Sequence, residues 1–305
     1  MSSTRKPKLD YEEQIKKLKS LGILFNEITE EEAKRILKNH TYSFKLISSR
    51  EQHKPHHSRN YSGNYNFEFS ALSDFATLDM RLRYTLLPMC LDIEHSLKTD
   101  ILKKITDDVN EDGYTIVQDF INNHNGDLEK IFSSVIKRDG TVIPSFQKYY
   151  DDPPIWVCLE LMTFGQFSAF VEFYSERTND SELRKAGKFI KFAKNIRNKC
   201  AHSQPILLNL NPRKNFTVER ELKKIGRKQR LSDKNLKVLA IIDILALLVL
   251  HSKYCSKGIK DNRKNDLLTF KQRKNRYFHH YRNVPSLSFF FLSLNKMIDY
   301  YVQNN

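Results

Sequence analysis

Glycine and proline are scarce in this chain, nine of each among 305 residues. So little of either leaves few of the tight turns that a many-stranded β protein needs, and favours helices joined by sparing connections. Cysteine is scarcer still. Cys90, Cys158, Cys200 and Cys255 are widely spaced and form no CxxC pair, which excludes a disulfide scaffold and points to reduced, incidental thiols. Long hydrophobic runs are missing too. The longest, Val238 to Leu250, has 13 residues and contains Asp243, whereas a bilayer span needs roughly 20. The opening MSSTRKPKLDYEEQ holds no apolar segment of the kind a secretory leader requires. These absences lead to the expectation of a cytoplasmic protein with no membrane partner. No internal repeat or low-complexity segment is present.

What the chain has in quantity is positive charge. Lysine and arginine number 51 against 36 acidic residues, a formal net charge of +15. From Ser203 onward there are 21 basic and 7 acidic residues, so almost the whole excess lies in the last third. Such asymmetry favours a polyanionic partner, nucleic acid before an anionic surface. A lysine-rich face that only keeps the protein soluble would carry the same charge. Forty per cent hydrophobic and 11% aromatic residues are enough for a buried core.

The apolar spacing is helical throughout. Tyr11, Ile15 and Leu18 share a face of a helix over 10–20 that Gly22 stops, and Thr29 with Glu32 forms a capping box ahead of Ala33, Ile36 and Leu37. Together they predict an N-terminal helical hairpin within residues 1–50. Residues 48–66 are polar and turn-rich and read as a basic loop. Its His53, His56 and His57 lack the spacing and the companions of metal ligands, so no metal is expected there.

From residue 70 to 105, Phe75, Leu78, Leu82, Leu86, Met89, Ile93, Leu97, Ile101 and Ile105 recur at threes and fours. This predicts one long helix, capped by Ser70 or Ser73 and bent at Pro88, where a backbone donor is missing. Arg81, Arg83, Glu94, His95 and Lys98 decorate it, and Glu94 with Lys98 has the spacing of a solvated i, i+4 ion pair. Residues 107–153 read as an insert of short helices. Residues 155–173 read as a central helix pair broken near Gly165, with Trp156 in the core. A helix over 182–203 has a seam of Phe189, Phe192, Ile196 and Cys200. A basic connection over 211–234, a buried helix over 235–254, a basic and aromatic stretch over 256–284 and an amphipathic helix over 286–303 complete the chain. The expected fold class is all-α. The domain over 67–305 carries the insert and a basic C-terminal helical region over 211–305, and the whole reads as one unit.

The helix over 182–203 ends on NIRNKCAH, residues 195–202, before Pro205 disfavours further helix. On a helix Asn198 and His202 are i, i+4 and share a face, and the long fork of Arg197 reaches round toward them. The negative end of the helix dipole favours an imidazolium at His202. An arginine, an amide and an imidazole so placed can hold a phosphate and move a proton beside it. Spacing alone does not decide this, because Arg35/His40, Arg50/His56, Arg50/His57 and Arg273/His279 repeat it. The same residues would also serve as a satisfied helix C-terminus with Arg197 in a surface ion pair.

RNKCAH with its flanks resembles the RNxxAH form of the HEPN ribonuclease motif. The order of YEEQIKKLKSLGI, LDMRLRYTLLPMCLDIEHSLKTDIL, ELMTFGQFS and NIRNKCAHSQPILLN, over roughly residues 7–210, resembles the Abi (abortive infection) family of the AbiD/AbiF type. The chain departs from that pattern at NHTYSFKLI in place of a tyrosine-rich segment, at Lys98 and at Pro205.

The resemblance implies an all-α HEPN-like helical bundle and a metal-independent endoribonuclease without cofactor, acting on RNA in defence against phage. Arg197 would hold the scissile phosphate, His202 would be the general acid/base, Asn198 would orient it, and Glu94 would polarise the site. The chemistry needs a ribose 2′-OH, so DNA would be spared. HEPN sites are commonly composite across a two-fold axis, which implies a homodimer. A dedicated noncoding RNA is a further implied partner. The basic stretches would supply its contacts through Arg213, Lys214, Lys223, Lys224, Arg227, Lys228 and Arg230, then through Arg263, Lys264, Lys271, Arg273, Lys274, Arg276, Tyr277 and His279. Phe278 and Tyr281 are interleaved with the latter set as stacking groups. The rival reading is a non-catalytic module that holds a structured RNA. A DNA-binding regulator is a weaker alternative, since no helix-turn-helix glycine turn is recognisable.

Overall fold

The computed structural model describes residues 7–53, 67–123, 127–282 and 284–305. Among them are fifteen α-helices, one 3-10 segment and no strand, in agreement with the all-α expectation.

The first two helices are α1 (Tyr11–Ser20) and α2 (Glu30–Asn39), each opened by a capping box, from Asp10 with Glu13 and from Thr29 with Glu32. They pack as the expected hairpin, and Gly22 follows α1 with φ +78°, a conformation glycine adopts without strain. Next comes α3 (Ser43–His53), so the first part of the expected 48–66 loop is helical. His56 and His57 lie outside the described residues.

The long helix α4 (Phe69–Asp107) runs through Pro88, and all nine residues of its seam are buried. It begins at Phe69, so Ser70 and Ser73 lie inside it and neither is its cap. The backbone N–H of Phe69 instead donates to the Leu24 carbonyl at 2.8 Å, and Ser70 donates its hydroxyl to Glu27. The insert holds α5 (Thr115–Asn123), α6 (Leu128–Phe132) and α7 (Pro144–Gln147).

The expected helix pair is α8 (Ile155–Leu161) and α9 (Phe164–Arg177). The break falls just ahead of Gly165, where Thr163 caps α9 in a box with Gln166. Trp156 is not in the core: it is 48% exposed at the first turn of α8, where its ring meets Tyr114 edge-on and covers Gly113. Helix α10 (Ser181–Ala201) packs on α9, with Gly187 facing Glu172, where a Cβ would stand 3.4 Å from the Glu172 Cα, at van der Waals contact.

Residues 211–234, expected as a connection, contain α11 (Arg220–Lys228) and the start of α12 (Asp233–Leu236). The buried helix is α13 (Leu239–Tyr254), the basic stretch forms α14 (Lys257–Arg276) and a 3-10 segment at Phe278–His280, and α15 (Pro285–Asn304) closes the described chain. No described helix is long and apolar enough to cross a membrane.

The chain divides into two compact units. The first gathers residues 1–85, 202–241 and 265–300, and the second residues 86–201, 242–264 and 301–305. Each unit is thus assembled from segments distant in the sequence.

Candidate functional site

Helix α10 carries the motif because its sequence supplies an apolar stripe and little else that could compete. Leu183, Ala186, Gly187, Phe189, Ile190, Ala193, Ile196 and Cys200 are its buried positions, at helical spacing. Asp180 caps it, accepting from the backbone N–H groups of Glu182 and Leu183 at 2.8 and 3.0 Å. The helix ends at Ala201. His202 follows directly, and Ser203 takes φ +53°, a left-handed conformation that stops the helix without a glycine.

Burying Ile196 and Cys200 turns their neighbours outward. Arg197 is half-buried, while Asn198 and His202 are exposed. Arg197 Nη1 lies 3.4 Å from Asn198 Oδ1. His202 has neither a hydrogen bond nor an ion pair among the described residues. One turn earlier, Asn195 Nδ2 donates to Asp243 Oδ1 at 3.1 Å, and Asp243 is buried on α13. The acid inside the apolar run therefore anchors the motif helix.

In the second unit α4 carries Glu94. Burial pushes the Cys90 thiol well above its usual range; the charges of Arg197, Asp92 and Glu94 also act on it, as does Cys200. The charges of Arg197 and Glu94 act on the Cys90 thiol in opposite directions, the guanidinium lowering its pKa and the carboxylate raising it. Glu94 is held by Lys98 at 3.1 Å, and their side chains are 17% and 16% exposed, so the pair is more sheltered than a solvated surface contact. Lys98 in turn sits 5.5 Å from the Phe167 ring centroid. The other cysteines are buried as well, and burial raises Cys158 to about 12 and Cys255 to about 11, so these thiols are poor nucleophiles at neutral pH.

The chain leaving the motif is fixed within the first unit. Asp79 Oδ1 accepts from the backbone N–H groups of Ile206 and Leu207 at 2.7 and 2.9 Å, and its Oδ2 takes Arg83 Nε at 3.0 Å. Arg83 is buried, so it does not decorate the surface as its sequence position suggested. The i, i+4 spacing of Asp79 and Arg83 was a readable signal; the reach of Asp79 across 127 residues to Ile206 was not.

The basic residues divide sharply. Arg213, Lys214, Lys224, Arg227, Lys228 and Arg230 are exposed, and Lys223 is half-buried. Within this set Lys223 and Arg227 both pair with Asp233, at 2.8 and 3.2 Å. Helix α11 presents this basic face because Leu222 and Gly226 form its buried edge; a Cβ at Gly226 would stand 2.8 Å from Leu236 Cδ2.

Along α14 more of the cations are engaged internally. Arg263 donates to Asp92 at 2.7 Å, Lys264 to Asp261 at 2.9 Å and Lys271 to Asp299 at 2.5 Å. Arg273 is bound to Asp74. Lys274 is 2% exposed with its Nζ 5.6 Å from the Phe291 ring centroid, so it has no surface to offer a phosphate. Tyr281 is buried and gives no stacking platform, whereas Arg276, Tyr277, Phe278 and His279 are exposed.

A polar network that the sequence did not reveal lies in the second unit. Tyr301 Oη and His251 Nδ1 are 2.7 Å apart, and His251 Nε2 is 3.2 Å from Asp92 Oδ2. Burial lowers the His251 pKa; Asp92 opposes this, while Arg263 and Lys260 reinforce it.

A family model described as an Abi-like protein matches residues 35–207. The chain belongs to the Abi-like protein family. The matched region contains Glu94, Arg197, Asn198 and His202, and it ends before the basic residues of α11 and α14. No curated protein and no solved structure matches the chain. The association that comes with an Abi-like protein is abortive infection, in which a cell's own protein limits the spread of phage.

Proposed function

We propose that this Abi-like protein is an RNA-directed effector of abortive infection, a HEPN-type, AbiD/AbiF-like endoribonuclease working in the cytoplasm as a homodimer. The observation that carries the reading is the state of the end of α10. A histidine kept only to satisfy a helix terminus would be hydrogen-bonded there. His202 is instead exposed and unpartnered among the described residues, directly after the helix that bears Arg197 and Asn198.

In this mechanism the guanidinium of Arg197 neutralises a non-bridging phosphate oxygen, and its fork suits that geometry. Neutral His202 removes the proton of the ribose 2′-OH, which attacks phosphorus in line as the bond to the 5′-oxygen breaks. The leaving oxygen takes a proton from an imidazolium, and two copies of His202 across a two-fold axis would supply base and acid. The products are a 2′,3′-cyclic phosphate and a 5′-hydroxyl. Asn198 orients the phosphate or the imidazole, and Glu94, tied to Lys98, tunes the charge around Arg197.

The test is an RNA carrying one 2′-deoxy residue at the mapped cleavage position. Loss of cutting at that position alone supports 2′-OH attack; continued cutting there refutes it.

The exposed basic face of α11 favours a second reading, a module that holds a structured noncoding RNA without cutting it. Tight, salt-sensitive RNA binding that leaves the RNA intact under all conditions, with wild type and Arg197→Ala alike, would select that reading.

A further inference from the structure

In the first unit, the 3-10 segment after α14 brings two adjacent histidines against Glu27, in the loop that precedes α2. His280 Nε2 lies 3.2 Å from Glu27 Oε2, and one donor atom each from Glu27, His279 and His280 lies within 4.8 Å of the others. On the far side of the same ring, His280 Nδ1 faces Asp74 Oδ2 at 3.9 Å. Both of these atoms are buried, and neither has a hydrogen-bond partner among the described residues. The Tyr277 ring stacks on His280 with centroids 5.4 Å apart and planes 9° from parallel, which fixes the orientation of the imidazole.

An ion pair between His280 and Glu27 alone would account for the first distance, but not for the convergence of His279 or for two buried polar atoms aimed at each other. A tetrahedral metal accounts for all three. Bonds of about 2.0–2.1 Å set neighbouring donors roughly 3.3 Å apart, close to the edge that His280 and Glu27 already form. Two imidazoles and one carboxylate are a zinc ligand set with a fourth position open to water. A ligating histidine characteristically donates its other ring N–H to a carboxylate, and Asp74 stands where that carboxylate would be.

We propose that Glu27, His279 and His280 form a zinc-binding site, with Asp74 orienting His280 as its outer carboxylate. A bound Zn²⁺ ties the loop before α2 to the turn that follows α14. It uses none of the residues assigned to RNA cleavage, so the two proposals stand or fall separately.

Titrating metal-free, tag-free full-length protein with Zn²⁺ at pH 7.5 by calorimetry tests this. One stoichiometric site per chain is expected, and Co²⁺ at that site should give the intense visible bands of tetrahedral coordination. His279→Ala and Glu27→Gln alter exposed side chains, so folding is spared, and each should weaken zinc at least about tenfold. Asp74→Asn should weaken it by roughly tenfold as well. A His56→Ala/His57→Ala variant removes the other histidine-rich stretch and should bind as tightly as wild type. Absence of stoichiometric zinc binding, unchanged affinity in both His279→Ala and Glu27→Gln, or transfer of the loss to the His56/His57 variant would overturn the proposal.

Discussion

Replacing Asp79 by alanine should release the segment that leaves the motif. The carboxylate is 3% exposed and satisfies three donors at once: the buried N–H groups of Ile206 and Leu207, and the buried guanidinium of Arg83. Each backbone donor left unpaired in the interior costs about 1–3 kcal/mol. Removing one partner of a buried ion pair costs about 3–5 kcal/mol, because the other charge is stranded. These terms overlap, since water will enter the space, so the expected loss is about 3–5 kcal/mol rather than their sum. Asp79→Asn keeps one acceptor for the two amides but turns an NH₂ toward Arg83, and should lose roughly half as much. Urea denaturation measures the global change. Hydrogen exchange at the amides of Ile206 and Leu207 reads the local one, and protection there should fall by a factor of ten or more, the equivalent of about 1.4 kcal/mol. A change below about 1 kcal/mol, with both amides as protected as in wild type, would show that Asp79 does not hold this segment.

Tyr301→Phe strands buried His251 Nδ1 and should cost about 1–3 kcal/mol in chemical denaturation; an unchanged midpoint would contradict that. His251 itself makes stability depend on pH. Its folded pKa is depressed below the unfolded value, so the unfolded chain binds the proton more tightly. The stabilisation is complete above the unfolded pKa of about 6.5 and is lost as pH falls toward the folded value. The urea midpoint of His251→Gln should therefore vary less between pH 7.5 and 5.5 than that of wild type. Gly226→Val overfills the approach of α11 to Leu236 and should lower stability by about 1–3 kcal/mol, read as a lower thermal midpoint. Exchanging Lys224 and Lys228 for glutamine should weaken RNA binding and flatten its dependence on salt; an unaltered slope would exclude the α11 face as a phosphate contact.

The fold was legible where periodicity is strong. Nine apolar residues in step fixed α4, and the Thr29 capping box marked the start of α2. Legibility failed where helices are mostly polar. In α3 the sequence SFKLISSREQH offers no sustained stripe, and in α11 a single leucine and a glycine suffice to dock a helix whose remaining charges read as loop. Counting charge also misled at Lys274 and Arg273, which neutralise or fill the interior. Their partners, Asp74 and the Phe291 ring, are remote in sequence. Trp156 was misplaced for a related reason, since a large apolar side chain at a first helical turn covers a glycine loop as readily as it enters a core. In the region of the candidate site, the helix bearing Arg197 and Asn198 was readable, although it ends at Ala201 and leaves His202 just beyond its last turn. The supports of that region, Asp243 under Asn195 and Asp79 under Ile206, were not, because single buried acids are visible only through what they hold.

Cleavage of a labelled RNA in EDTA by wild-type protein, Arg197→Ala and His202→Ala tests the central claim most directly. Wild type should cut and leave 2′,3′-cyclic phosphate ends, while both variants, folded and still binding the RNA, should lose at least about a hundredfold in rate. Cleavage at the wild-type rate by either variant would remove these residues from the reaction and the ribonuclease reading with them.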